Sequence, residues 1–202
     1  ITEKKEYATR KRIMSSMFGI RYIRGLQPIM RDCIRVAMDQ LHNACMQHGG
    51  EATVDVYRLI RALAVDIIGM TALGESFHMV EKGSHPLPQK IEQSVLIAGI
   101  LQFLPWLKYL PGFHNRDFYV DNYMKAIAKR RRQTMKTGHH HDWLQKLLEA
   151  VDDKPNSTFQ MSDLYDELVT LLIAGSETTG HTEIFLLMLL ATHPDKLALL
   201  HE

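Results

Sequence analysis

The sequence predicts an all-α chain on three observations. Apolar residues recur at three- and four-residue steps, the spacing of a buried helical stripe, in most segments between its prolines and glycines. No stretch alternates apolar and polar residues over the length of a strand. Residues 162–193 contain no proline, so one helix of about thirty residues, roughly 45 Å at the usual rise, is expected there.

The elements follow in order. Glu3 to Met17 reads as a short basic helix with Arg10, Lys11 and Arg12 in its middle. Pro28, whose missing N–H is harmless in a first turn, is expected to open a second helix through Ile34, Met38 and Leu41 to a stop at Gly49-Gly50. Asp55 should cap a third, Val56 to Leu73, with Leu59, Leu63, Ile67 and Met70 on its core side. Gly74 to Pro88 is expected to be loop, and Ile91 to Leu104 a helix stopped by Pro105.

Leu104 to Phe113 is apolar, aromatic and punctuated by prolines, which is unusual for a solvent loop. Either it tucks into the core, or it stands exposed and suits a membrane surface or a substrate entrance. Asn115 to Lys136 reads as a helix with a basic end (Lys125, Lys129, Arg130, Arg131, Arg132, Lys136), expected as a solvated face because no aromatic platform accompanies it. His139-His140-His141 lack the i, i+4 spacing of a preformed metal site. Asp142 to Val151 should be a short helix and Asp152 to Gln160 a polar loop. Ser162 is the expected N-cap of the long helix, with Asp163, Asp166 and Glu167 at the end where the helix dipole favours acids. Pro194 opens a last helix.

The long helix carries Ala174-Gly175-Ser176-Glu177-Thr178-Thr179-Gly180 between apolar flanks. These glycines, serine and threonines cost together about 3 kcal/mol relative to alanine in a helix, so something must offset them. At about 100° per residue, Leu171, Ala174, Gly175, Thr178, Thr182 and Phe185 share a face, making a smooth notch with one hydroxyl and the Glu177 carboxylate one step round. A flat ligand approached closely by the backbone, and protons relayed to it, is one reading. Close crossing by another helix is a second, and a C-cap at Gly175 followed by a fresh N-cap at Ser176 is a third.

This stretch resembles the Ala/Gly-Gly-x-Asp/Glu-Thr-Thr/Ser pattern on the central helix of the cytochrome P-450 family, the haem-thiolate monooxygenases. Asp142 to Leu148 upstream and His193-Pro194 downstream, followed by Glu202, fall where that family has similar segments. Asp66-Ile67-Ile68-Gly69 with Leu73-Gly74-Glu75-Ser76-Phe77 looks like its Asp-x-Ile-Gly…Phe-Gly-x-x-Phe stretch. The resemblance implies one partial domain over residues 1–202, comprising the N-terminal and central helices of that fold. It implies haem b, O2, electrons from NAD(P)H through an NADPH-dependent reductase, and insertion of one oxygen atom into an apolar organic substrate.

By the same resemblance, Thr178 would hydrogen-bond the dioxygen and deliver protons for O–O cleavage, and Glu177 would resupply them. Ala174 and Gly175 would border the distal haem face, with Thr179 nearby in a structural place. Tyr7 and Lys11 stand where the family has His/Trp-x-x-x-Arg against a haem propionate; Lys11 offers a point charge instead of a guanidinium fork, and Arg10 or Arg12 are the alternatives. Leu104 to Phe113 would be the lid over the pocket, touching the endoplasmic reticulum membrane. The family's Glu-x-x-Arg and its Phe-x-x-Gly-x-Arg-x-Cys-x-Gly ligand loop do not occur, and Cys33 and Cys45 lack such surroundings, so no metal ligand is expected in this chain. Alternatives are an inactive truncated fragment, a helical binding module, or a non-oxygenase isomerase or dehydratase of the same fold.

Composition narrows the classes. The 202 residues carry 24 basic and 23 acidic side chains, a formal charge of +1, which gives no global handle for nucleic acid. Two cysteines argue against a disulfide-stapled domain. No run of about eighteen apolar residues is present to span a membrane as a helix.

Overall fold

The structure is a computed structural model that describes residues 4–110, 117–134, 141–152 and 159–200. Among the described residues the regular structure is all helical. The order is α1 (Lys4–Met17), α2 (Ile20–Gln47), α3 (Val56–Ile68), a wider π-turn over Gly69–Leu73, α4 (Met79–Lys82), α5 (Pro86–Phe103), a 3-10 turn over Pro105–Tyr109, α6 (Phe118–Thr134), α7 (Trp143–Asp152), α8 (Met161–Thr192) and α9 (Pro194–Leu200).

α8 is continuous through the glycine-threonine stretch and 32 residues long. Neither glycine breaks it. Hydroxyls along it back-bond to the preceding turn, Ser176 to the Leu172 carbonyl at 2.7 Å and Thr182 to the Thr178 carbonyl at 2.8 Å. Such bonds satisfy polar groups inside an apolar helix. Its first residue is Met161, and Ser162 is not the cap. Gln160 takes that place, and the Asp163 carboxylate accepts the Gln160 backbone N–H at 2.8 Å.

The core wraps the N-terminal half of α8. Leu164, Leu168, Leu171 and Leu172, one stripe at helical spacing, meet Leu144, Leu147 and Leu148 of α7 and Met124 and Ile127 of α6. α3 runs antiparallel beside α8 and packs on more than its expected side, with Ala62, Ala64 and Ile68 buried as well as Leu63. The C-terminal half of α8 is different: Phe185, Leu186, Leu187, Met188 and Leu189 are all exposed, as are Leu197, Leu199 and Leu200 of α9.

Several boundaries differ from expectation for identifiable reasons. α2 begins at Ile20 and carries Pro28 inside it; Pro28 and Arg24 are exposed, so the carbonyl that proline leaves without an N–H partner faces water. α5 begins at Pro86, where the His85 ring nitrogen accepts the Leu87 N–H at 3.1 Å. The stretch expected as a loop, Gly74 to Pro88, also contains α4, capped by the buried Asp66 carboxylate, which accepts the N–H groups of Met79 and Val80 at 2.9 Å each. Asp55 caps α3 as expected, accepting from the Arg58 N–H at 3.0 Å.

The basic end of α6 is not wholly a solvated face. Arg131 is buried and paired with Asp142 at 2.6 Å. Asn115, Lys136, His139 and His140 lie outside the described residues, whereas His141 stacks on Tyr22 with ring centroids 4.6 Å apart. The aromatic turn stands exposed, with Trp106 59% and Tyr109 80% accessible, beside Phe103 at the end of α5 at 84%. Its end, residues 111–113, lies outside the described residues. No helix among the described residues is long and apolar enough to cross a membrane.

Candidate functional site

The glycine-threonine stretch serves two faces of α8 at once. Gly175 and Gly180 turn toward α3: a Cβ on Gly175 would lie 2.5 Å from Ile68 Cδ1, and one on Gly180 would lie 3.6 Å from Ala64 Cβ. Close helix crossing therefore accounts for Gly175, whereas Gly180 has room for a Cβ at ordinary contact distance. Ala174, Thr178, Thr179 and Thr182 are exposed on other sides. The Thr178 hydroxyl donates to the Ala174 carbonyl at 2.5 Å, which holds it against the helix surface instead of extending it.

Glu177 points away from this hydroxyl, as neighbours about 100° apart must. Its Oε1 accepts from Arg61 Nη2 of α3 at 2.6 Å, and the same Nη2 reaches Glu92 of α5 at 2.6 Å. One guanidinium thus ties three helices together. The Arg61 guanidinium is pushed further above its ordinary value, first by its hydrogen bond to Glu177 and then by that to Glu92, against the opposing effect of burial. His181, one turn after Glu177, places Nδ1 3.5 Å from Glu177 Oε2 and Nε2 3.3 Å from the Tyr57 hydroxyl. Beside the cluster lies a cavity of about 440 Å³ between α3, α5 and α8, with Val65, Ile91 and Leu172 among its apolar walls and Arg61, Glu92 and Glu177 at its polar edge.

On α1, Tyr7 and Lys11 are both exposed and one turn apart. Arg10 is committed elsewhere, paired with Asp163 and, at 3.3 Å, with Glu167 of α8. Arg12 is exposed.

A flat iron macrocycle meets a suitable surface on one side only. Exposed short side chains at Ala174 and Thr178, with a hydroxyl between them, suit close approach of one flat face. The thiols do not suit the iron: Cys33 is half-buried, and burial, then Asp66 and Asp32, push its pKa up to about 11, so it holds its proton. Among the described residues no three metal-ligating side chains converge. The residues present fit one side of the group.

Arg61, Glu92, Tyr57 and His181 were not singled out by sequence. His181 carried a readable signal, since it stands four residues after Glu177 on the same helix face. Arg61 interrupts an apolar stripe, a signal that a core-only reading of α3 passes over.

The model of the Cytochrome P-450 family matches residues 2–202. The chain is 49% identical over 204 residues to the cytochrome P-450 monooxygenase acrD of Aspergillus aculeatus, covering 100% of this chain and 40% of that protein. It is 48% identical over 194 residues to the cytochrome P-450 monooxygenase LUC2 of Fusarium sp, covering 96% of this chain and 38% of that protein. It thus spans about two fifths of the length of these relatives. Among solved structures, that of the cytochrome P-450 CYP102L1 matches with a TM-score of 0.76 at 18% identity, over 96% of this chain and 41% of that one, a likeness of fold. With the family model matched from end to end, relatives at nearly half identity and the acid-threonine stretch on an unbroken central helix, the chain belongs to the cytochrome P-450 family.

Proposed function

We propose that the complete protein is a haem-dependent monooxygenase that inserts one oxygen atom of O2 into an apolar organic substrate. Its electrons come from NAD(P)H through a reductase. The observation that carries this reading is the exposed face of Ala174 and Thr178, a hydroxyl beside short side chains with Glu177 anchored one residue before it. Haem b supplies the chemistry of activating dioxygen. Ala174, Gly175, Thr178 and Thr179 would border it, and Tyr7 and Lys11 would reach its propionates.

The residues of this chain contribute proton handling and positioning. Thr178 Oγ1 rests on the Ala174 carbonyl at 2.5 Å and, by rotating about χ1, exchanges that acceptor for an oxygen atom needing a proton. Glu177 stands ready to reprotonate the region, its geometry fixed by Arg61. The apolar C-terminal half of α8 excludes water once covered.

Replacing Thr178 by alanine in the complete protein should leave electron consumption running while the fraction ending in product falls roughly tenfold or more, as loss of a positioned proton donor commonly costs. Measuring NADPH consumed, peroxide released and product formed together gives that fraction. Unchanged coupling refutes the proton-donor role.

The exposed aromatic turn supports contact with a membrane surface, and localisation at the endoplasmic reticulum membrane is part of the same proposal. Trp106→Ala should weaken sedimentation of the protein with phosphatidylcholine vesicles by roughly threefold to tenfold, the share expected of one interfacial aromatic. Equal sedimentation of wild type and variant removes this turn from the contact.

A further inference from the structure

We propose that His181 is the residue that hands protons to Glu177, with Tyr57 on its outer nitrogen; this rests on the monooxygenase reading above. Each oxygen of the Glu177 carboxylate has its own neighbour. Arg61 Nη2 donates to Oε1 at 2.6 Å, whereas Oε2 faces His181 Nδ1 at 3.5 Å. The same Nδ1 lies 2.7 Å from the Glu177 backbone carbonyl, its hydrogen-bond partner, with the carboxylate oxygen at ion-pair distance beside it. On the other side of the ring, Nε2 is 3.3 Å from the Tyr57 hydroxyl, and the two rings meet edge to face with centroids 5.9 Å apart. Tyr57 is held in turn by the Arg61 guanidinium, 5.6 Å above its ring centroid. A cation at that distance over an aromatic face is attracted to it.

Chemistry selects His181 among these groups. A guanidinium does not give up its proton in a protein, so Arg61 positions the carboxylate and cannot recharge it. A phenol ordinarily titrates at about 10, too high to hold a transferable charge at neutral pH. Imidazole alone changes charge in the physiological range and has two nitrogens to receive and release on opposite sides. The titratable and charged groups facing the ring are Tyr57 and Arg61 of α3, Glu177 of α8 and, through Arg61, Glu92 of α5.

The transfer balances. A proton from water, passed through the Tyr57 hydroxyl, binds Nε2 and makes the imidazolium. The Nδ1 proton then moves to Glu177 Oε2, giving the carboxylic acid and leaving a neutral ring protonated on Nε2. Exchange with water, to which the His181 side chain is 40% exposed, restores the starting tautomer. One proton enters, one reaches Glu177, and no electrons move.

The test follows the ring itself and needs no turnover. Histidine is labelled with ¹³C in the complete protein, and the His181 resonance is assigned by its disappearance in His181→Asn. At neutral pH that resonance should differ between wild type and Glu177→Gln, because Nδ1 faces the carboxylate at 3.5 Å. Tyr57→Phe should shift it less. An identical resonance in wild type and Glu177→Gln overturns the proposal, and means that Glu177 is recharged by water from the neighbouring cavity. In turnover, His181→Asn should lower the fraction of electrons ending in product severalfold and alter its solvent deuterium isotope effect, as loss of a proton-transfer group does; unchanged coupling also overturns the proposal. Thr178→Ala tests the monooxygenase reading alone, so a failed relay and a failed oxygenase assignment give different patterns.

Discussion

Asp142→Ala is expected to destabilise the fold by about 3–5 kcal/mol, the range found when one partner of a buried ion pair is removed and the other stays behind uncompensated. Arg131 and Asp142 expose only 7% and 5% of their side chains. Arg131 Nη1 donates to Asp142 Oδ2 at 2.6 Å, and Nη2 to the Leu73 carbonyl at 3.1 Å. Asp142 does a second job with its other oxygen: Oδ1 accepts the Gln145 N–H at 2.9 Å and so caps α7. Loss of such a cap alone is ordinarily worth about 1 kcal/mol. Urea unfolding followed by circular dichroism measures the sum. The double variant Arg131→Met, Asp142→Leu should lose much less, since it buries no unpaired charge. A loss below about 1 kcal/mol for Asp142→Ala would mean that water reaches the guanidinium, as at surface pairs of that worth.

That ion pair also marks where the sequence stops being readable. Helix existence was legible wherever the cause is local: Asp55 before an apolar run, Pro194 at a first turn, the uninterrupted pattern of α8. Pairing between distant residues leaves no such trace. Arg131 sits in a run of cations that looks solvated from either side, and only the return of α7 brings Asp142 against it. Pro28 misled for the opposite reason, because a helix exposed along that edge tolerates what a buried one does not. At the candidate site the sequence pointed to Thr178 and Glu177 as neighbours, whereas the structure separates their polar ends, one onto its own helix and one onto α3. The partner of Glu177 lies 116 positions away, beyond the reach of any spacing rule. The exposed apolar half of α8 has a similar lesson: its residues read as core material, yet core requires a surface to pack against.

Gly74→Ala should be as damaging as losing the ion pair, and for two separable reasons. Gly74 ends the π-turn with φ +69°, in the left-handed region. That conformation costs an L-residue about 1–2 kcal/mol. A Cβ there would also be driven into Arg131 Nη2 and lie 2.5 Å from Asp142 Oδ2, the two halves of the buried pair. The Leu73-Gly74-Glu75-Ser76-Phe77 stretch thus has a physical role: its glycine brings the backbone against the pair, its Leu73 carbonyl accepts from Arg131, and Glu75 binds Arg130 at 2.7 Å beside it. Arg131 is anchored at two acceptors, Asp142 and the Leu73 carbonyl, so its retreat would break a hydrogen bond. Denaturation of Gly74→Ala in the wild-type and in the Arg131→Met, Asp142→Leu backgrounds separates the two costs, because coupled neighbours are non-additive where independent ones are not. In the apolar background the loss should shrink toward the backbone share, about 1–2 kcal/mol. Equal losses in both backgrounds would place the whole effect in the left-handed turn and leave the close approach to the ion pair without energetic weight.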